Sequence, residues 1–305
     1  MIIELHVLQS FPVSNLNRDD LGQPKTATFG GYTRGRISSQ SLKRAARGLF
    51  TRYGLDESET GVRTKRLLEN AAKTLHKRGR SEDDVDGVTE AGLLALGFGM
   101  KSGTRLTEYL LFVGQQASDL LANFCDRNWD SLHKVATEKQ KAAAAKKADA
   151  EKKAVEKAKK IKPDKETLAE AKRILDATRV ADVALFGRMI ADNKDFNVDA
   201  ASQVAHAIST HAVANEFDYY TAVDDLKPDA EAGADMIGNV DFNAACYYRY
   251  ANLDLDQLTK NLDGDTDLAS RAARAWLHAF IHAIPSGKQN SMAALTPPHT
   301  LLGVV

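Results

Sequence analysis

Between Lys25 and Leu55 the chain holds seven Lys or Arg residues and not one Asp or Glu, although its 41 cations and 41 carboxylates balance overall. The block overlaps the stretch 17–47, which reads NRDDLGQPKTATFGGYTRGRISSQSLKRAAR. Gly30-Gly31 marks a tight turn, and the segment from Tyr32 leads into Ser38-Ser39. Either serine suits a helix N-cap, because its side-chain oxygen accepts an otherwise unpaired backbone N–H. Beyond it Leu42, Ala45, Ala46, Leu49, Phe50 and Tyr53 form an apolar stripe at helical spacing. Gln40, Lys43 and Arg47 follow one flank of that stripe at i, i+3 and i+7. A helix start offers free N–H groups and a positive dipole end to an anion, and the flank continues the contact with two cations. Holding a row of phosphates requires such an arrangement. A solvated basic face on an ordinary amphipathic helix carries the same pattern, so charge alone leaves both readings open.

Net neutrality conceals a second polarity. Residues 215–267 hold thirteen Asp or Glu against Lys227, Arg249 and Lys260. Segments of opposite sign on one subunit suit a head-to-tail contact between copies, which propagates as a filament when the rotation does not close. Solubilising acidic loops have the same composition. A length of 305 residues allows one large domain or two smaller ones. Two cysteines, Cys125 and Cys246, make no disulfide framework and match no zinc-ligand spacing, which points to a reducing, cytoplasmic setting. The start, MIIELHVLQSF, places Glu4 and His6 inside its apolar run and reads as a strand rather than a signal peptide. No apolar run is long enough to span a membrane.

Residues 2–11 alternate as a first strand, followed by the NRDD loop and the capped helix. A helical section then runs from about Thr60 to Thr178. Within it, 136–162 is a Lys/Ala stretch with ten Lys and four acids, a strong helix former and a second basic surface that could touch target DNA or simply be solvated. Pro163 suits the first turn of a new helix. Strand composition returns at 180–190, 204–211 and 245–251. Residues 266–284 read as a helix with Trp276, Phe280 and Ile284 on one side, ended by Pro285. Strands and helices alternating around a large insertion define an α+β protein.

Several constellations invite chemistry. Asp19-Asp20 and Asp224-Asp225 are paired carboxylates of the kind that hold divalent metals, but Asp19 lies in a Gly/Pro-bounded loop where Asp commonly makes turn hydrogen bonds. His206 and His211 are five apart and read as hydrogen-bonding histidines rather than metal ligands. Gly287-Lys288 resembles the end of a phosphate loop, yet His282 stands where the first glycine belongs and Gln289 where Ser or Thr does. Gly97-Phe98-Gly99 likewise misses dinucleotide spacing. No cofactor, no metal site and no enzymatic activity are therefore expected, and Lys288 reads as a backbone-phosphate contact. Tyr219-Tyr220-Thr221 puts one ring on each side of an extended segment, so at least one ring is expected to be exposed and able to stack on a base; cross-strand packing in a hairpin is the competing reading for one of the tyrosines.

The motifs NRDD, FGG and RISSQSLKRA, followed in order by FGRM (186–189), AHAISTH (205–211), TAVDDL (221–226), YYRYANLDLDQL (247–258) and PSGKQ (285–289), closely resemble the CasC-type backbone subunit of Cascade, the type I-E CRISPR surveillance complex of the RAMP superfamily. The resemblance spans nearly the whole chain except roughly 55–175. It implies a modified RRM (ferredoxin-like) palm with inserted helical fingers and a thumb hairpin: palm at 1–58, fingers at 59–178, palm again at 179–212, thumb at 213–244 and palm at 245–305. Because the chain stops at LLGVV, that last part is expected to be truncated relative to the family. The expected partners are crRNA, target DNA, further copies head to tail and other Cascade subunits. The expected RNA contacts are Arg18, Lys25, Ser38, Gln40, Lys43, Arg47 and Lys288, with Met189, Tyr219, Tyr220 and Thr221 around a displaced nucleotide. Related type III backbone proteins cut target RNA with a loop aspartate, which keeps a metal-dependent nuclease as the alternative.

Overall fold

The computed structural model describes residues 1–101, 103–144, 165–176, 178–190, 196–222 and 236–305. The chain divides into two compact units. One, the sheet unit, comprises Met1–Leu55, Ala201–Leu258 and Ala269–Val305. The other, the helical unit, comprises Asp56–Ala200 and Thr259–Leu268. Residues 179–200, expected with the palm, thus lie in the helical unit.

In the sheet unit, strand β1 (Ile2–Ser14) is followed by the ribbon β2 (Thr26–Phe29) and β3 (Tyr32–Ile37), and then by helix α1 (Ser39–Arg47). Strands β4 (Gly61–Thr64) and β5 (Leu111–Gly114) form a separate two-stranded sheet in the helical unit. The chain returns with β6 (Ser202–Val204), β7 (Ala207–Ser209), β8 (Glu216–Ala222), β9 (Met236–Asp254) and β10 (Thr300–Val304). Eight strands make one sheet of order β10-β1-β9-β7-β3-β2, with β6 and β8 also pairing β9. Every pairing in it is antiparallel. The order β1–α1–β7–β9–helix–β10 is compatible with the βαββαβ plan of ferredoxin-like domains.

Period-two alternation explains which face is core. Leu5, Val7, Gln9 and Phe11 of β1 and Ala245, Tyr247, Arg249 and Ala251 of β9 are buried, and the register pairs these two sets, Leu5 with Ala251 and Gln9 with Tyr247. The helix Thr266–His282 buries Trp276 and Phe280 completely. Arg249 is the unusual member of this core. Its guanidinium donates to Gln9 Oε1 and to the Phe280 carbonyl and lies 4.7 Å from the Phe280 ring centroid. A carbonyl near the end of that helix thereby gains a cationic donor.

The helical unit gathers Leu67, Leu75, Val88, Leu93, Leu121 and Ile174 into one core, from the helices Leu67–Lys77, Glu82–Ala95, Ala117–Arg127 and Lys165–Ile174. Burial pushes the Cys125 thiol up to about 12, which makes it an inert core residue. Two expectations change here. Residues 181–186 are helix, not strand: all six are buried, and a short apolar run does not reveal its own periodicity. The Asp182 carboxylate fixes this turn by accepting from the Gly61 N–H at 2.7 Å. The expected strand at 204–211 is two short strands broken at Ala205-His206. The Lys/Ala stretch begins in the helix Trp129–Ala144, where Lys139 pairs with Glu90 at 2.7 Å. Its remainder, with Pro163, lies outside the described residues, as does Asp224-Asp225.

Candidate nucleic-acid interface

Helix α1 begins as its sequence dictates. Ser38 is extended (φ −67°, ψ 146°) and its hydroxyl oxygen accepts from the Ser41 N–H at 3.3 Å. Its own N–H donates to Asn17 Oδ1 at 2.8 Å, tying the NRDD loop to the helix start. Ser38 is 7% exposed and its oxygen caps and orients the helix. The Ser39 N–H donates to His206 Nδ1 at 3.0 Å, and His211 accepts from the Cys246 N–H while its Nδ1 meets the Ala212 carbonyl. Both histidines are accounted for by main-chain hydrogen bonds.

With Leu42 and Ala46 buried, the opposite arc of α1 faces outward. Gln40 is exposed, and Lys43 and Arg47 are half-buried. Arg44, which sequence reasoning passed over, is exposed on the same arc at i+4 from Gln40 and has no carboxylate partner among the described residues. That spacing was the signal that could have found it. Arg44, Ser41 and Gly48 line one side of a cleft of about 730 Å³, with Arg18, Asp19 and Asp20 of the loop and Pro285–Gly287 also in its wall. Gly287 is required there, since a Cβ would sit 2.4 Å from the Leu16 carbonyl oxygen. This close approach sets Lys288, at φ 51°, beside the NRDD loop. Lys25 joins the loop through its N–H to the Asn17 carbonyl at 2.9 Å. The structure thus brings Arg18, Lys25, Gln40, Lys43, Arg47 and Lys288 into one unit with Arg44.

Asp19 is already engaged: its Oδ1 accepts from the N–H groups of Leu21 and Gln23, each at 2.9 Å. Among the described residues no group of three or more His, Cys, Asp or Glu side chains is placed to hold a metal.

The other expected contacts lie on β8 and in the helical unit. Tyr219, Tyr220 and Thr221 lie in β8, opposite Asn239, Gly238 and Ile237 of β9. The Tyr220 ring lies over Gly238, where a Cβ would come within 2.5 Å of it; Tyr220 is the ring that packs across the hairpin. Tyr219 is on the other face and 58% exposed. Met189 belongs to the helical unit and is 85% exposed. It is held in place by Arg188, whose guanidinium donates to the carbonyls of Phe196, Phe112 and Leu175 at 3.0, 3.1 and 2.7 Å. Burial brings that guanidinium down to about 10.

Fold and site together define a mixed α+β protein with a large antiparallel sheet and a cation-rich helix edge suited to a polyanion. No helix among the described residues is long and apolar enough to cross a membrane. The chain belongs to the CT1975-like protein family, whose model matches residues 3–305. It is similar to a chain of a solved structure titled "CRISPR RNA-guided surveillance complex, pre-nicking", with 34% identity and a TM-score of 0.78 over 99% of this chain and 77% of that one. A chain of a second structure, "CRISPR RNA-guided surveillance complex", shows 30% identity and a TM-score of 0.69 over 99% of this chain and 75% of that one. No curated protein matches the sequence. These findings bear out the resemblance to CasC-type Cascade subunits that the ordered motifs carry.

Proposed function

We propose that this chain is the crRNA-binding backbone subunit of a CRISPR Cascade complex, assembling head to tail along the guide and holding its phosphates without regard to sequence. The observation that carries the reading is the outward arc of α1, where Gln40, Lys43, Arg44 and Arg47 follow a serine-capped helix start inside a segment free of carboxylates. Phosphate contacts position a strand without reading it, so the target would be chosen by base pairing, as in other RNA-guided systems. Tyr219 on the sheet unit is exposed and suited to press on a base displaced from the stack, and Met189 on the helical unit is an exposed, adaptable side chain suited to a base contact of its own. The acidic segment 215–267 complements the basic one, which supports contact between successive copies. The Lys-rich stretch from 136 to 162 is the surface we assign to target DNA. In a host carrying a CRISPR array, the nucleic acid that co-purifies with the full chain should be one repeat-derived RNA class. Recovery of random sequences would reduce the protein to a general single-strand binder.

The alternative, metal-dependent cleavage of RNA at the loop aspartate, rests on the exposure of Asp19 and Asp20 on the cleft. Against it stands the commitment of Asp19 Oδ1 to two backbone donors, the signature of a turn residue. We therefore assign the chain no catalytic activity of its own. Assembled complex incubated with complementary RNA and magnesium should leave that RNA intact, and Asp19→Ala should lower only the thermal stability, by about 1 kcal/mol. Regularly spaced fragments that vanish in Asp19→Ala would establish the enzyme instead.

A further inference from the structure

The β2–β3 ribbon carries a pattern that the proposed contacts do not use. Its register pairs Ala27 with Arg34 and Phe29 with Tyr32, flanking the Gly30-Gly31 turn, and the Arg36 N–H donates to the Lys25 carbonyl at 2.8 Å just beyond it. Side chains directly opposite share a face, and so do alternate residues along each strand. Lys25, Arg36, Arg34, Phe29 and Tyr32 therefore lie along one face, cations at the base and aromatic rings at the tip. The other face turns inward only at its base, while Thr26, Thr28 and Thr33 on it are exposed. Ile37 is buried, and a Cβ on Gly35 would collide with the Tyr247 hydroxyl.

The tip is open. Gly30 and Gly31 have φ of +62° and +82°, the left-handed pair that a two-residue hairpin turn needs, and nothing lies within 4 Å of where their Cβ atoms would be. Phe29 and Tyr32 are each 62% exposed. The Arg34 guanidinium stands 5.9 Å from the Tyr32 ring centroid and donates to the Ser209 carbonyl, which fixes it beside the ring. Arg36 Nε is buried without a hydrogen-bond partner among the described residues. Two large apolar rings so exposed mark a contact surface. Their setting, with no carboxylate anywhere from Lys25 to Leu55, selects a polyanion that also offers flat π-faces.

We propose that this ribbon is a base-stacking site for single-stranded RNA, in which Phe29 and Tyr32 take an unpaired base of any identity while Lys25, Arg34 and Arg36 meet the adjoining phosphates. The site rests on the reading of the chain as an RNA binder and adds base contact to it. The test compares the full chain with Phe29→Ala/Tyr32→Ala, titrating an oligouridylate and an abasic ribose-phosphate oligomer of equal length. The variant should bind oligouridylate about fivefold or more weakly, with an unchanged salt slope and unchanged affinity for the abasic oligomer. Phe29→Tyr/Tyr32→Phe, which keeps both rings, should restore wild-type binding. A Tyr32→Trp reporter should be quenched by oligouridylate and not by the abasic chain. Equal affinities for both oligomers in the double alanine variant and the wild type would overturn the site. So would a defect confined to self-association, which would make the tip a protein contact. If Lys43→Ala/Arg47→Ala weakens binding while the tip variants do not, the stacking site alone falls. Failure of the wild type to bind oligouridylate removes the RNA reading with it.

Discussion

Alanine at both Lys43 and Arg47 is expected to weaken RNA binding about 25-fold at 0.1 M salt, by the same factor for every RNA sequence. Each phosphate contact on a single strand contributes about 0.7 to the slope of log affinity against log salt. Losing two contacts flattens that slope by ~1.4, which over the decade from 1 M to 0.1 M amounts to roughly a factor of 25. The loss is uniform because phosphates carry no letters. Helix α1 should survive the change, since Leu42 and Ala46 seat it and Ser38 caps it. Titrations of unrelated RNAs at several salt concentrations read out both quantities. A loss that tracks sequence, or a slope that does not move, contradicts the assignment.

The largest effect on stability is expected at Arg249. Arg249→Ala removes a fully buried side chain and leaves Gln9 Oε1 and the Phe280 carbonyl without their donor. Removing one partner from such a buried charged contact costs about 3–5 kcal/mol, a large share of the ~5–15 kcal/mol that holds a domain together. Denaturant melts should show a midpoint shift of that size, and Gln9→Leu added to an Arg249→Met change should recover part of it, because the orphaned amide goes with the charge. The effect also has a pH signature. Burial brings Arg249 down from 12.5 to about 10, so above pH 10 the unfolded chain holds this proton more firmly and stability rises with pH. Burial takes Tyr247 the other way, from 10.0 to about 12; there the folded chain holds the proton and stability falls over the same window. The two oppose each other in the wild type. In Arg249→Ala the rise that this arginine contributes is lost, while every other titrating group is unchanged, and stability should fall more steeply above pH 10 than it does in the parent. Parallel curves would show that the arginine is not titrating in the folded core.

What the sequence made legible was what local chemistry determines. Ser38 before an apolar stripe announces α1, and alternation in MIIELHVLQSF announces β1. The helix at 181–186 was hidden because six consecutive buried residues fit either period. The length of β9 was hidden too, since its first part, including Met236 and Ile237, gains its partner only from β8. On α1 the arc that carries Lys43 and Arg47 was readable from spacing, whereas the capping bond of Ser38 to the Ser41 N–H depends on where its hydroxyl points. The packing of Tyr220 over Gly238, which leaves Tyr219 as the free ring, needs the register of two strands. That Phe29 and Tyr32 share a face with Arg34 needs the register of β2 and β3.

Strand β9 has a mechanical consequence. Met236 to Phe242 pair with β8, and from Asn243 onward the same strand pairs with β1. The hairpin is therefore a cantilever whose root is the middle of the main sheet, with no loop between them to act as a joint. A load applied at Tyr219 travels along covalent backbone into the β1 ladder instead of being absorbed locally. A slip of one residue at the root would turn Tyr219 to the opposite side. Aim at the tip is thus set by alignment at the base.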